Sequence, residues 1–287
     1  MDSDPMSTKP QLTADSVLSP QELRALNTEL KSIVWVLRVY CPNNNNQIVE
    51  SFSTAFSIDR NGLIMTSAHT FVKRPYIITA RRLHDVSFLH KVEEVHIKHT
   101  WDIAVLRVKN VSDCNFGRLA VDRSLFVGQK LLHIGHPGNL VGSLFVGTVA
   151  FPCMDDVDVP QDNQICSNYI CTALDITPRY RIMGHIWNVD AWIKAKQNEY
   201  EFERQLHPQT PIIQIYGLGS REGCSGGPVF NIKGEIVGIM SMGFLGFEIA
   251  IHSSLLRQVL SETEEKMQGG NNKQGGNQAG CSKRHKK

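Results

Sequence analysis

Arg221-Glu222-Gly223-Cys224-Ser225-Gly226-Gly227-Pro228 is the stretch on which the reading of this chain turns. It sets one serine in a tight, glycine-rich turn between two apolar segments. A serine hydroxyl is a weak nucleophile until a base takes its proton and donors hold the oxyanion made by its attack. The turn offers such donors. Gly223 has no side chain to block its N–H, and the N–H of Ser225 follows two residues on. Gly226 and Gly227 let another backbone approach closely and tolerate positive φ. Taken alone, the same run also reads as a plain turn joining two strands.

A nucleophilic serine needs a histidine, and the histidine needs an acid to orient it. His69 follows the apolar run Leu63-Ile64-Met65, which leaves the hairpin-type pair Asn61-Gly62 and reads as a strand. The histidine is therefore expected just past a strand end. Asp102 stands directly before the run Ile103-Ala104-Val105-Leu106, again at a strand end. Ends of strands are where side chains from distant segments converge. Each piece has a bland alternative: the chain holds 11 histidines, and an aspartate opening a strand is often a turn residue. The order His, Asp, Ser in three such settings is what gives the set its weight.

Thr66-Ser67-Ala68-His69, Asp102-Ile103-Ala104-Val105-Leu106 and Gly223-Cys224-Ser225-Gly226-Gly227-Pro228 resemble the three signatures of chymotrypsin-fold serine proteases. The closer resemblance is to the HtrA/DegP branch. Ser53–Gly62 looks like that family's first hairpin, and Val127-Gly128-Gln129 with Ile134–Gly138 looks like the opening of its second barrel. Gly234–Ile239 and Phe247–Ile251 look like its closing strands. The resemblance covers roughly residues 30–150 and 211–260. It implies an all-β fold, a chymotrypsin/trypsin-like double β-barrel with the triad in the cleft between the barrels. In this reading Ser225, His69 and Asp102 are the catalytic residues, and the N–H groups of Gly223 and Ser225 form the oxyanion hole. Ser241-Met242-Gly243 resembles the strand that holds the substrate backbone. Neither a cofactor nor a metal is required.

Departures from the wider family sharpen the expectation. Cys224 stands where trypsin-like zymogens carry the aspartate that pairs with a newly cut N-terminus, and no Ile-Val-Gly-Gly start is present. Activation by cleavage is not expected. Viral relatives use a cysteine nucleophile directly before Gly-Gly; here that position is Ser225, and Cys224 is offset by one so that its side chain should point away from His69. Gly219 occupies the place where trypsin-like enzymes put their pocket acid. With no acid there, a buried Lys or Arg of a substrate would go unpaired. Met240, Met242 and Phe247 are candidate apolar walls, unless they belong to the core, and cleavage is expected after Val, Leu or Ala.

At 287 residues the chain is long enough for two lobes with substantial cores. A net charge of +2 implies no bulk electrostatic partner and makes nucleic acid an unexpected one. No apolar run is long enough to span a bilayer. The first 15 residues lack the layout of a secretory signal and contain three aspartates and no arginine. The 7 cysteines are scattered, and none sits beside His69 as in secreted relatives. These features lead to the expectation of a reduced protein of the cytoplasm or nucleus. Cys153, Cys166 and Cys171 lack the paired spacing of a zinc site.

Residues 1–18 are polar and read as disordered. Ser19-Pro20-Gln21-Glu22 reads as a helix start, followed by Leu23, Leu26, Leu30 and Ile33 at helical spacing. The protease-like domain is expected over 19–265, interrupted by a long insertion at 152–210 in which 191–203 has helical character. Such an insertion is either a lid over the cleft or a decoration. Leu255–Leu260 reads as a final helix, and 266–287 as a flexible tail ending in Lys283-Arg284-His285-Lys286-Lys287. That basic end fits a solubilising tail better than a nuclear signal or a weak nucleic-acid contact. Most HtrA relatives carry a PDZ domain after the protease, and the residues after Leu260 are too few for one. The expected activity is that of a serine endopeptidase on unfolded or damaged proteins. Protein or peptide substrates are the expected partners, with a homotrimer implied by the resemblance. The alternative is a catalytically silent binding module on a protease scaffold.

Overall fold

The computed structural model describes residues 18–42, 47–71, 75–121, 125–152, 181–182, 185–186, 211–244 and 247–274. The expected disorder of 1–18 and the helical character of 191–203 fall almost wholly outside them. So do Cys153, Cys166, Cys171 and the basic end. Of the insertion, a short hairpin is described, β9 (Arg181–Ile182) paired with β10 (His185–Ile186).

Two closed barrels form the body. The first runs in the order β1 (Val34–Pro42), β2 (Ile48–Ser57), β3 (Leu63–Thr66), β6 (Ile103–Val108), β5 (His90–Lys98) and β4 (Ile77–Arg82). The second runs β11 (Ile212–Tyr216), β14 (Phe247–His252), β13 (Ile236–Phe244), β12 (Pro228–Phe230), β7 (Lys130–Gly135) and β8 (Ser143–Phe151). Closure leaves no sheet edge unpaired, which is how an all-β chain avoids pairing with its neighbours. The double barrel expected from the sequence is the fold observed.

Each barrel has its own core. Trp35, Leu37, Ile64, Ala104 and Leu106 fill the first, and Leu131, Val149, Ile213, Ile215 and Val229 fill the second. A further cluster joins the barrels to the helices, with Phe56, Met65, Val105, Phe230, Ile239 and Leu256 at its centre. Strands β3 and β6 therefore bury both faces, which explains their unbroken apolar runs.

The helix α1 (Pro20–Lys31) begins with a capping box in which Ser19 Oγ accepts from the Glu22 N–H and the Glu22 carboxylate accepts from the Ser19 N–H. The helix α2 (Ser253–Gln274) continues well past Leu260, where the sequence pattern fades. Tertiary contacts carry the extension. Thr263 is fully buried and bonded to His96, Glu262 pairs with Lys98 at 2.7 Å, and Met267 packs against the joining cluster. Packing outweighs the poor local propensity of the Gln- and Gly-rich stretch.

Two buried histidines set a pH dependence. His133 donates through Nδ1 to the Pro228 carbonyl, and its Nε2 has no partner among the described residues. His136 bridges the barrels, Nε2 donating to the Trp35 carbonyl and Nδ1 accepting from the Gly142 N–H. Burial, the largest cause for each, pushes both down to about 4. The unfolded chain binds these protons near the ordinary histidine value of 6.5, so their contribution is complete above that pH and is lost as pH falls toward 4. The loss should reach at most about 3 kcal/mol per histidine. Urea midpoints measured from pH 7 to 4.5 should fall, and His133→Gln or His136→Gln should flatten the slope. An unchanged slope in both variants would refute the assignment.

Candidate active site

His69 lies on a 3-10 turn (Ala68–Phe71) directly after β3, and Asp102 caps a second such turn (His99–Trp101) directly before β6. β3 and β6 are hydrogen-bonded neighbours, so the two turns emerge side by side at one end of the first barrel. Asp102 takes a left-handed conformation, φ 50° and ψ 37°, which short polar side chains tolerate better than most. That geometry turns its carboxylate back over the histidine. Oδ1 accepts from the His69 backbone N–H at 2.8 Å, and Oδ2 lies 2.9 Å from His69 Nδ1. The Ala68 N–H donates to the Asp102 carbonyl. The carboxylate is 1% exposed and the imidazole 17%. An aspartate so placed holds Nδ1 protonated and leaves Nε2 as the acceptor.

Ser225 lies on the other barrel, between β11 and β12. Ser241, on β13, ties the two halves together. Its Oγ donates to Asp102 Oδ2 at 2.6 Å, while its carbonyl accepts from Ser225 Oγ at 3.2 Å. Ser241 is expected from the sequence only as a substrate-backbone residue; the hydrogen bond of its side chain to Asp102 is not legible there.

Strand β2 clamps the serine loop from the first barrel. The Thr54 N–H and Ser53 Oγ both donate to the Ser225 carbonyl, and Thr54 Oγ1 donates to the Gly223 carbonyl at 2.7 Å. Gly226, at φ +80°, sits so close that a Cβ would run into Thr66 Oγ1 and the Thr54 carbonyl. Gly223, at φ +94°, lies equally close to the His136 carbonyl. These approaches are why glycine stands at both places. Among the described residues no hydrogen bond takes the N–H of Gly223 or of Ser225. In the sequence Ser53, Thr54 and His136 stand out only as members of the stretches Ser53–Gly62 and Ile134–Gly138, with nothing to mark them as neighbours of the serine turn.

Cys224 is 1% exposed and packs in the second barrel's core. Burial first, then the charge of Glu248, pushes its thiol up. A buried, less acidic thiol is a poor nucleophile, in line with the offset expected from the sequence. Met240 is likewise core, not pocket wall. Met242 packs with Ile212 and Ile249, and Phe247 rests against Tyr216 on the surface. No atom of the described residues lies within 4 Å of a Cβ built at Gly219, and at Gly243 the nearest is the Phe247 carbonyl oxygen at 3.9 Å. Among the described residues no group of His, Cys, Asp and Glu could hold a metal ion, and no helix is long and apolar enough to cross a membrane.

The fold and this arrangement define a class, and the sequence comparisons agree with it. Residues 53–239 match the family model of the trypsin-like peptidase domain, and the chain belongs to that family. Among curated proteins it is similar to the mitochondrial serine protease HTRA2 of Drosophila erecta, at 25% identity over 225 residues, 78% of this chain and 42% of the relative. The mitochondrial serine protease HTRA2 of Drosophila willistoni is 24% identical over 225 residues, 78% of this chain and 41% of the relative. The chain therefore spans less than half the length of these curated relatives.

Proposed function

We propose that the protein is an HtrA-type serine endopeptidase with Ser225 as nucleophile. The observation that carries the reading is the hydrogen-bonded chain His69–Asp102–Ser241–Ser225, which crosses from one barrel to the other. Ser225 Oγ attacks the peptide carbonyl, and His69 Nε2 takes its proton. His69 then gives that proton to the leaving amine, and a water repeats the sequence on the acyl-enzyme. Asp102 fixes the tautomer and stabilises the imidazolium that forms. Ser241 Oγ takes up part of the buried carboxylate's hydrogen-bonding capacity and so positions it. The N–H groups of Gly223 and Ser225 receive the oxyanion, with the peptide between Gly223 and Cys224 anchored by Thr54.

The substrate lies along Ser241–Gly243 as an extended strand, which favours unfolded or damaged proteins over folded ones. Cys41, Cys114 and Cys224 are free thiols, which suits a reducing compartment, the cytoplasm or nucleus. A homotrimer is the assembly implied by the HtrA resemblance. The protease domain spans 19–265 in this proposal.

The test is hydrolysis of a reduced, denatured protein beside its native form. The denatured form should be cut at least about tenfold faster, since only it can supply an extended segment. Equal rates would refute the substrate class. No cleavage of either form or of short peptides by folded protein would favour a silent binding module.

A further inference from the structure

Gly219 stands six residues before Ser225, where trypsin-like enzymes carry their pocket acid. The structure brings an acid from another strand. Glu248 lies on β14, where it pairs with Ile215 of β11 on one side and Gly243 of β13 on the other. Its strand neighbour two residues on, Ala250, and its cross-strand partner Ile215 both point into the second barrel's core. By strand alternation Glu248 faces the same interior, at its mouth. It is 8% exposed. Its Oε1 accepts from the Ser220 N–H at 3.2 Å, and its Oε2 is buried with no hydrogen-bond partner among the described residues. Its charge reaches Cys224, the residue before the nucleophile.

A buried carboxylate with a bare oxygen is costly unless a cation or donor arrives to meet it. The surroundings leave room for one. Gly219, at φ +63°, has no atom of the described residues within 4 Å of where a Cβ would stand. At Gly243, directly across from Glu248, the nearest atom to such a Cβ is the Phe247 carbonyl oxygen at 3.9 Å. Gly243 lies two residues beyond Ser241, whose carbonyl holds Ser225 Oγ. The acid thus sits behind two side-chain-free positions, next to the strand that carries the substrate.

We propose that Glu248 forms the floor of the substrate pocket and selects a basic side chain, Lys or Arg, at the residue whose carbonyl Ser225 attacks. The proposal rests on the endopeptidase reading. It replaces the expectation of cleavage after Val, Leu or Ala, which followed from Gly219 and the nearby methionines. A long basic side chain passes Gly219 and Gly243 and brings its charge to Oε2, completing the carboxylate's hydrogen bonds. A Leu or Val leaves that oxygen bare.

The experiment uses the full chain and four peptide substrates that differ only in the residue before the scissile bond: Lys, Arg, Leu or Val. An uncharged fluorophosphonate serves as an independent titrant of the nucleophile. The Lys or Arg substrate should exceed Leu and Val by at least about tenfold in kcat/KM. Comparing Lys with Arg shows whether a compact ammonium or a planar guanidinium fits better. Glu248→Gln should lower kcat/KM on the basic substrates ~100-fold and remove their advantage over Leu. The wild-type profile decides the matter even if that variant does not fold. Labelling of Ser225 with Leu or Val preferred overturns the pocket proposal and leaves the endopeptidase reading standing. A basic preference unchanged in folded Glu248→Gln also overturns it. Absence of both labelling and cleavage overturns the endopeptidase reading, and the pocket proposal with it.

Discussion

Ser225→Ala should remove peptide hydrolysis almost entirely, by roughly a millionfold in kcat, because the members of a nucleophile–base unit act together. The fold should survive. Ser225 Oγ makes one 3.2 Å bond to the Ser241 carbonyl, and the loop is held by its backbone carbonyls through Ser53 and Thr54. Thermal unfolding should therefore stay within about 1 kcal/mol of wild type. Cys224→Ser is the companion variant. It buries a hydroxyl in an apolar core and should cost about 1–3 kcal/mol of stability, while kcat stays within about tenfold of wild type. A dead Cys224→Ser beside an active Ser225→Ala would reverse the assignment of the nucleophile.

Gly226→Ala should be the most damaging of the glycine substitutions in stability. The residue needs φ +80°, and a methyl group there meets Thr66 Oγ1 and the Thr54 carbonyl in a fully buried seam. Backbone lies on one side, so the clash is not relieved by a side-chain rotation. The left-handed conformation adds about 1 kcal/mol, and overpacking against a rigid neighbour adds a further ~3 kcal/mol. Gly219→Ala shares the positive φ but meets nothing among the described residues, so it should cost only about 1 kcal/mol. Denaturant midpoints for the two variants test this contrast; equal losses would mean that conformation, not contact, decides both sites.

The double barrel was legible through the resemblance that the His69, Asp102 and Ser225 motifs carry; the apolar runs Leu63–Met65 and Ile103–Leu106 read by themselves only as strands beside His69 and Asp102. The sequence placed the serine turn because Gly226 and Gly227 advertise a backbone approach that no other residue permits. It did not show what approaches. The contacts of Ser53 and Thr54 with Ser225 span some 170 positions and depend on how the two barrels meet. Ser241 was visible as a strand residue, but its bond to Asp102 depends on which face of β13 it occupies. Glu248 reads in sequence as one acid in a closing strand. Only the pairing with Ile215 and Gly243 shows that it faces the barrel interior. The length of α2 was hidden for the opposite reason, since its last turns have weak propensity and the packing of Thr263 and Met267 supplies what the sequence lacks.

If Ser225 is an activated nucleophile, treatment of the full chain with an uncharged fluorophosphonate, followed by digestion and mass spectrometry, should give one adduct per chain, on the peptide bearing Ser225. The adduct should be lost in Ser225→Ala and slowed at least about a hundredfold in Asp102→Asn, where the histidine tautomer is wrong. Folded protein that takes up no label, or takes it up at another residue with the same rate in Asp102→Asn, would contradict that role for Ser225.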